Sequence, residues 1–217
     1  MNHRGHRGHR DALARSARIP FPLWPLCPLW FSLFFFLAAL ATSPAIADEG
    51  SARALAALKA GGHYGLMRHA KAPGRRDPDD ARLGDCSTQR NLDAGGRAQA
   101  AAIGAGLRRA GVTIFKLYAS RWCRCMETAE LLAVGDVEPL DVLNAFRPER
   151  EAEQTKHLRA LLAQPITTPS VLLVTHHDNI VSLTRIVTRE GEIVVVKPQG
   201  RDKFEVVGRI PPESLVE

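Results

Sequence analysis

The sequence predicts an α/β domain, a three-layer sandwich in which a mostly parallel central sheet carries helices on both faces. Three observations lead there. Helical and strand-like segments alternate from residue 48 onward, the pattern of stacked βα units. The run Val171-Leu172-Leu173-Val174 is apolar throughout, as a strand buried between two helical layers must be. Basic residues recur directly after predicted strands, where open parallel sheets place ligands.

The elements follow in order. Ser51 to Ala60 is rich in alanine and leucine, and Ser51 is a candidate N-cap. Gly61-Gly62 ends that helix, and His63 to Arg68 is a predicted strand. Lys71 to Arg90 is polar and broken by Pro73 and Pro78, so it reads as a loop. Asp93 can cap a helix running to about Ala110, packed through Ala100, Ile103, Ala105 and Leu107 and closed by Gly111. A strand is predicted within Val112 to Ser120, then helices over Arg124 to Leu132 and Glu151 to Leu162. The buried strand at Val171 precedes a predicted helix over Asn179 to Thr188. Glu192 to Lys197 and Phe204 to Ile210 read as a closing hairpin.

Residues 1–47 read as an export signal. Arginines at 4, 7, 10, 15 and 18 precede an uncharged apolar run from Leu29 to Ala41, and Ala45-Ile46-Ala47 follows. A basic start, a short apolar core and an Ala-x-Ala end are what a signal peptidase accepts. Cleavage is expected after Ala47, leaving 48–217 as the domain, periplasmic or secreted and without a stable membrane anchor. The alternative is a membrane-anchored protein, since Pro20 to Ala47 carries no charge. Prolines at 20, 22, 25 and 28 disfavour a regular helix in the front half of that stretch.

The formal charge of +6 rests mainly on this leader. Beyond Ala47 stand 24 Lys and Arg against 22 Asp and Glu, a balance that argues against nucleic acid as a partner. Of the cysteines, Cys86, Cys123 and Cys125 lie in the domain. In an oxidising compartment Cys86 is expected to pair with Cys123 or Cys125, with Cys123 preferred, and a free buried thiol is the competing reading. No four-ligand zinc spacing is present, and no metal or cofactor is expected. The sequence carries no signal for the oligomeric state.

Three basic segments follow predicted strands: Arg68-His69, Ser120 to Arg124, and His176. Together they suit a phosphate ester. An arginine fork matches phosphate oxygens, and a neutral histidine can attack phosphorus and form a phosphoramidate. A second, protonated histidine can hold an oxygen as charge builds.

Four segments resemble the histidine phosphatase superfamily, the phosphoglycerate mutase-like fold. Arg68-His69-Ala70 is similar to that family's Arg-His-Gly motif, with alanine for glycine. Leu92-Asp93-Ala94-Gly95-Gly96-Arg97-Ala98-Gln99-Ala100 resembles its Leu-Thr-x-x-Gly-x-x-Gln-Ala segment. Ser120-x-x-x-Arg124-x-x-x-Thr128-Ala129 and Val174-Thr175-His176 resemble its two remaining motifs. The resemblance implies a phosphatase with His69 as nucleophile, Arg68 and Arg124 on the phosphate, and His176 stabilising the transferring group. It implies a phosphorylated small molecule or envelope component as substrate. The alternative is a non-catalytic protein of the same fold that binds phosphate or glycan phosphate.

Other residues receive weaker assignments. Arg121 is expected at the rim, His177 beside the site, and Trp122 at the mouth. His63 and His157 read as structural or solvated. Arg75, Arg76 and Arg82 could meet an anionic substrate or form a solvated loop. The family's proton-donating carboxylate has no clear counterpart. Asn144 falls where one branch has a glutamate, and His177 where another has an aspartate. Glu149, Glu151 and Asp178 are the candidate donors. Without a strong acid, an easily departing leaving group is favoured.

Overall fold

The computed structural model describes residues 45–166 and 169–216. Apart from Ala45 to Ala47, the predicted leader lies outside the described residues. The elements are α1 (Ala45–Ala60), β1 (Tyr64–Arg68), α2 (Ala94–Arg109), β2 (Ile114–Ala119), α3 (Cys123–Leu132) and β3 (Val137–Pro139). They continue with α4 (Glu151–Leu162), β4 (Ser170–Thr175), α5 (His177–Thr184), β5 (Ile193–Gly200) and β6 (Lys203–Ile210). The six strands form one sheet in the order β3-β2-β4-β1-β5-β6. The first four are mutually parallel; β5 and β6 join antiparallel.

Side-chain alternation along the strands feeds two cores. Met67, Leu172 and Val174 point to one face and pack with Leu58 of α1, Leu107 of α2 and Leu132 of α3. Leu66, Leu173 and Val194 point to the other and pack with Leu158 and Leu162 of α4 and Ile180 and Leu183 of α5. Every residue of β4 is buried, as expected for the central strand of a three-layer sandwich. Close helix packing is set by glycine. A Cβ at Gly104 would stand 1.9 Å from the Leu132 carbonyl oxygen, so α2 meets the end of α3 only because position 104 has no side chain.

The structure departs from the sequence reading at four places. The first helix begins at Ala45, and Ser51 lies inside it, donating its hydroxyl to Ser214 at 3.1 Å rather than capping the helix. The short edge strand β3 was not predicted; three residues ending in proline give too little pattern. Helix α5 starts at His177 and stops at Thr184, where Arg185 turns left-handed at φ 62°. The expected extension to Thr188 is lost because residues 188–192 return to bracket β1: Arg68 donates to Thr188 O, and Arg68 N–H bonds Glu192 O. The hairpin strands are also longer, joined through Arg201 and Asp202 at φ 51° and 57°. Positive φ at both central residues is the twist-matched hairpin turn.

The polar stretch 69–91 crosses the carboxyl ends of the strands with little core of its own. It is stapled instead. Cys86 and Cys123 form a disulfide across 37 residues, as preferred from the sequence, and Cys125 is free and buried. Gln89 Oε1 accepts the Cys123 N–H at 2.9 Å beside it. Closing a loop of that length removes unfolded-state entropy worth about 3–4 kcal/mol. Reduction, or Cys86→Ser with Cys123→Ser, should therefore lower the unfolding free energy obtained from urea titration by an amount of that order, with a fall in the midpoint. A midpoint that does not move would show that the staple adds nothing to stability.

Candidate active site

Three parallel strands end side by side, and the site is built on their carboxyl ends. The β1–β4 register pairs Arg68 with Thr175, and one further bond, His69 N–H to Thr175 O at 3.0 Å, carries the pairing past the strand end. That places His69 beside His176, their ring centroids 5.7 Å apart. Strand β2 delivers Ser120 and then α3, whose second residue is Arg124. Thr128, one turn further on, accepts the Ala70 N–H at 3.0 Å and donates to Arg124 O. Gln99 completes the frame, accepting from Lys71 N–H and donating to Glu190 O. The recurrent Ser, Thr and Gln of the sequence motifs are thus the fasteners of the histidine-bearing turns.

The tautomers follow from the partners. His69 Nδ1 lies 2.8 Å from Ala70 O, an acceptor, so Nδ1 carries the proton and Nε2 keeps its lone pair. Burial pushes the His69 pKa down from 6.5 to about 3, reinforced by Arg124, Arg90 and Arg68 and opposed by the Ala70 bond. His69 is therefore a neutral imidazole with a free nitrogen, the form that attacks phosphorus.

His176 is also neutral, burial and then Arg124 lowering its pKa well below 6.5. Ser120 donates its proton to Asn144 Oδ1 at 3.0 Å, so it can only accept from His176 Nε2 at 2.8 Å. His176 Nδ1 then accepts from Arg124 Nη2 at 3.2 Å. In the free protein an added charge on His176 among buried arginines is unfavourable.

A cavity of about 350 Å³ opens over these groups, lined by Arg68, His69, Arg124 and His176 together with Arg75, Arg76, Asp77, Arg90, His177 and Asp178. Arg90 was missed in the sequence, where it read as the end of a polar loop. It is only 13% exposed, and its Nη1 donates to Ala72 O. The Nε groups of Arg68, Arg90 and Arg124 are buried and have no hydrogen-bond partner among the described residues. Burial lowers the pKa of Arg68 and of Arg124, yet an arginine stays charged. Three guanidinium groups around one cavity can bind an oxyanion.

The remaining predicted residues are sorted by the same geometry. Arg75 and Arg76 reach the cavity, whereas Arg82 pairs with Asp85 on the surface. Arg121 pairs with Asp141 at the rim. Trp122 stands against Arg124 and His176, its ring centroid 4.9 Å from the guanidinium carbon. His63 Nδ1 bonds Gly61 O, and His157 is exposed.

Of the candidate donors, Asp178 lines the cavity but is exposed, and no hydrogen bond among the described residues holds it. Glu149 is exposed and lines neither this cavity nor the adjoining one. Glu151 faces the adjoining cavity, which shares His177 and Asp178. Asn144 is a hub, accepting from Ser120 and from Arg121 N–H. Among the described residues no cluster of three or more His, Cys, Asp or Glu could hold a metal ion.

Comparison with known proteins agrees with this geometry. Residues 65–160 match the family model for the histidine phosphatase superfamily, branch 1. The fold is similar to that of the protein histidine phosphatase SixA solved with tungstate (20% identity, 70% of this chain and 99% of that one, TM-score 0.54). It is also similar to a phosphoserine phosphatase of Entamoeba histolytica solved with phosphoserine (10% identity, 70% and 98%, TM-score 0.51). Comparison with curated protein sequences finds no match. The segment that matches the histidine phosphatase superfamily model carries three of the four motifs that gather at this cavity, and the similar solved structures share the fold.

Proposed function

We propose that the protein is an exported, metal-independent phosphatase that forms a phosphohistidine at His69 during hydrolysis of a phosphorylated small molecule or envelope component. The observation that carries this reading is a neutral His69, its Nε2 free, in one cavity with Arg68, Arg90 and Arg124. The arginines supply the positive charge that a phosphoryl group needs, so the residues in hand suffice for the chemistry without a Lewis acid.

The sequence of events follows from these groups. The phosphoryl group enters between Arg68, Arg90 and Arg124, which cancel its charge. His69 Nε2 attacks phosphorus, and the bond to the leaving group breaks with its electron pair. The phosphate dianion also changes the environment of His176. An added negative charge favours the imidazolium, so His176 can take a proton as the anion arrives and hold an equatorial oxygen. The leaving group lies toward the adjoining cavity of about 310 Å³, where Phe146, Pro148 and Val181 give an apolar wall. Among the described residues no buried carboxylic acid lines that cavity to protonate it. Activated phosphates such as phosphoramidates, anhydrides and sugar 1-phosphates suit this site better than alkyl phosphates.

Rapid-quench assay of an aryl phosphate in excess chelator should trap a covalent phosphoenzyme in the wild type. His69→Ala should trap none and turn over about a thousandfold more slowly, and an alkyl phosphate should react more slowly than the aryl ester. Equal background rates in both proteins would leave a phosphate-binding protein of the same fold.

Export rests on the leader and on the disulfide, which persists in oxidising compartments. N-terminal sequencing of the protein recovered outside the cytoplasm should begin at Asp48. An intact Met1 in the membrane fraction would replace secretion with anchoring.

A pH dependence of stability also follows. His69 has a lowered folded-state pKa, so between about 3 and 6.5 the unfolded chain binds a proton that the folded one does not. Its contribution is fully present above 6.5 and is lost as the pH falls, with a slope of about 1.4 kcal/mol per pH unit. His176 acts in the same direction. Urea midpoints measured from pH 7.5 to 4.5 should therefore decline, and less steeply in His69→Gln. An unchanged slope in that variant would contradict a buried neutral His69.

A further inference from the structure

Building on the reading of His69 as the phosphorylated nucleophile, we propose that Asp77 is the general base that activates water to break down the phosphoenzyme. Nothing in the sequence motifs singled this residue out. It lies in the polar loop between β1 and α2, yet it lines the same cavity as both histidines.

Its position is built rather than incidental. Asp77 Oδ1 accepts from Arg124 Nη1 at 2.9 Å and from the Arg90 backbone N–H at 2.9 Å. Both donors bind the same oxygen. Oδ2 has no hydrogen-bond partner among the described residues, and the side chain is 19% exposed, enough to meet water. The loop segment behind it is held by the Cys86–Cys123 disulfide and by Arg90, whose Nη1 bonds Ala72 O. One oxygen clamped and the other free is the arrangement that lets a carboxylate collect a proton from a fixed direction.

A carboxylate in an oxyanion cavity opposes the binding of phosphate, so its presence calls for a function that offsets this cost. Glu190 accepts the Ala72 N–H and is not among the residues lining the cavity, and the other carboxylates that line it or the adjoining one are poorly placed. Asp178 is exposed and unfixed, and Glu151 is engaged by Ser182 in the adjoining cavity. Arg124 meanwhile belongs to the phosphate receptor, so Asp77 is tied to a group that touches the transferring phosphoryl.

The step balances as a hydrolysis. Water oxygen bonds to phosphorus as its proton passes to Asp77 Oδ2. The phosphorus–Nε2 bond breaks and its electron pair returns to His69 Nε2. Inorganic phosphate departs, and Asp77 releases the proton to solvent. The role falls in the second half-reaction, which needs a base whatever the leaving group was. That fits a first half-reaction that relies on the leaving group rather than on an acid.

The test is a rapid-quench comparison of wild type, Asp77→Asn and Asp77→Glu with a labelled aryl phosphate, each variant checked by thermal melting. Asparagine can keep both hydrogen bonds at Oδ1 and removes only the base. Asp77→Asn should form phosphoenzyme at close to the wild-type rate and then accumulate it, with steady-state turnover down about a hundredfold or more. Hydroxylamine, a nucleophile that needs no base, should restore breakdown, and Asp77→Glu should retain part of it. If Asp77→Asn slows formation and breakdown together, Asp77 only orients Arg124 and the proposal fails. If breakdown is unchanged, it fails outright. Should Asp77→Asn not fold, a glutamate variant that traps phosphoenzyme no differently from wild type decides against it. Absence of phosphoenzyme in the wild type would instead overturn the phosphohistidine reading, a separate outcome.

Discussion

One hydroxyl couples the two halves of the site. Thr128 accepts the N–H of Ala70 and donates to the carbonyl of Arg124, so the turn carrying His69 and the helix carrying Arg124 are fixed to each other. Strand pairing aligns β1 with β4, and this bond ties the turn after β1 directly to α3. The bond is buried, and a buried N–H without its acceptor would cost about 1–3 kcal/mol. Sequence spacing explains the choice of residue. Position 128 lies one helical turn beyond Arg124, and only a side chain on that face can reach both strand and helix.

The site then resolves a conflict between burial and charge. Arg68, Arg90 and Arg124 share a cavity with the imidazoles of His69 and His176, and the arginines stay protonated under any condition the fold survives. The imidazoles give way. Burial and the neighbouring cations hold both neutral, and each is given a defined tautomer by a polar partner: Ala70 O for His69, Ser120 for His176. The same positive field that suits an anion thus helps to keep His69 in its neutral, nucleophilic form. Cys125, packed close to His176, is pushed up to about 12 by burial, so it remains an inert thiol.

The legible parts of the fold were those with long hydrophobic periods or strong punctuation. Asp93 reads as a cap and is one, accepting from Gly96 N–H at 2.6 Å. The apolar run at Val171 reads as a central strand and is buried throughout. The four groups named from the sequence, Arg68, His69, Arg124 and His176, line one cavity because each follows a parallel strand. What escaped was set by tertiary contact alone. Helix α5 stops early because the chain must return past Arg68, β3 is too short to show a period, and Arg90 and Asp77 lie in a loop without periodicity. Their charges resemble those of Arg82 and Asp85, which face solvent. Only the path of the loop distinguishes the two pairs.

That path has a physical explanation in what the loop lacks. Residues 69–91 contribute little more than Ala70 and Ala72 to any core, and those pack with Leu92 and Ala100 in a small satellite cluster. A segment so polar cannot hold Arg90 and Asp77 in place through burial, since its apolar area is too small to offset the entropy of ordering it. A covalent staple supplies the order instead. The disulfide attaches the loop one residue before Arg124, at the point where its charged groups must meet the helix. A chain kept in a reducing compartment would lose this device. The disulfide thus does for this loop what burial does for the helices, holding Arg90 and Asp77 at the cavity that they line.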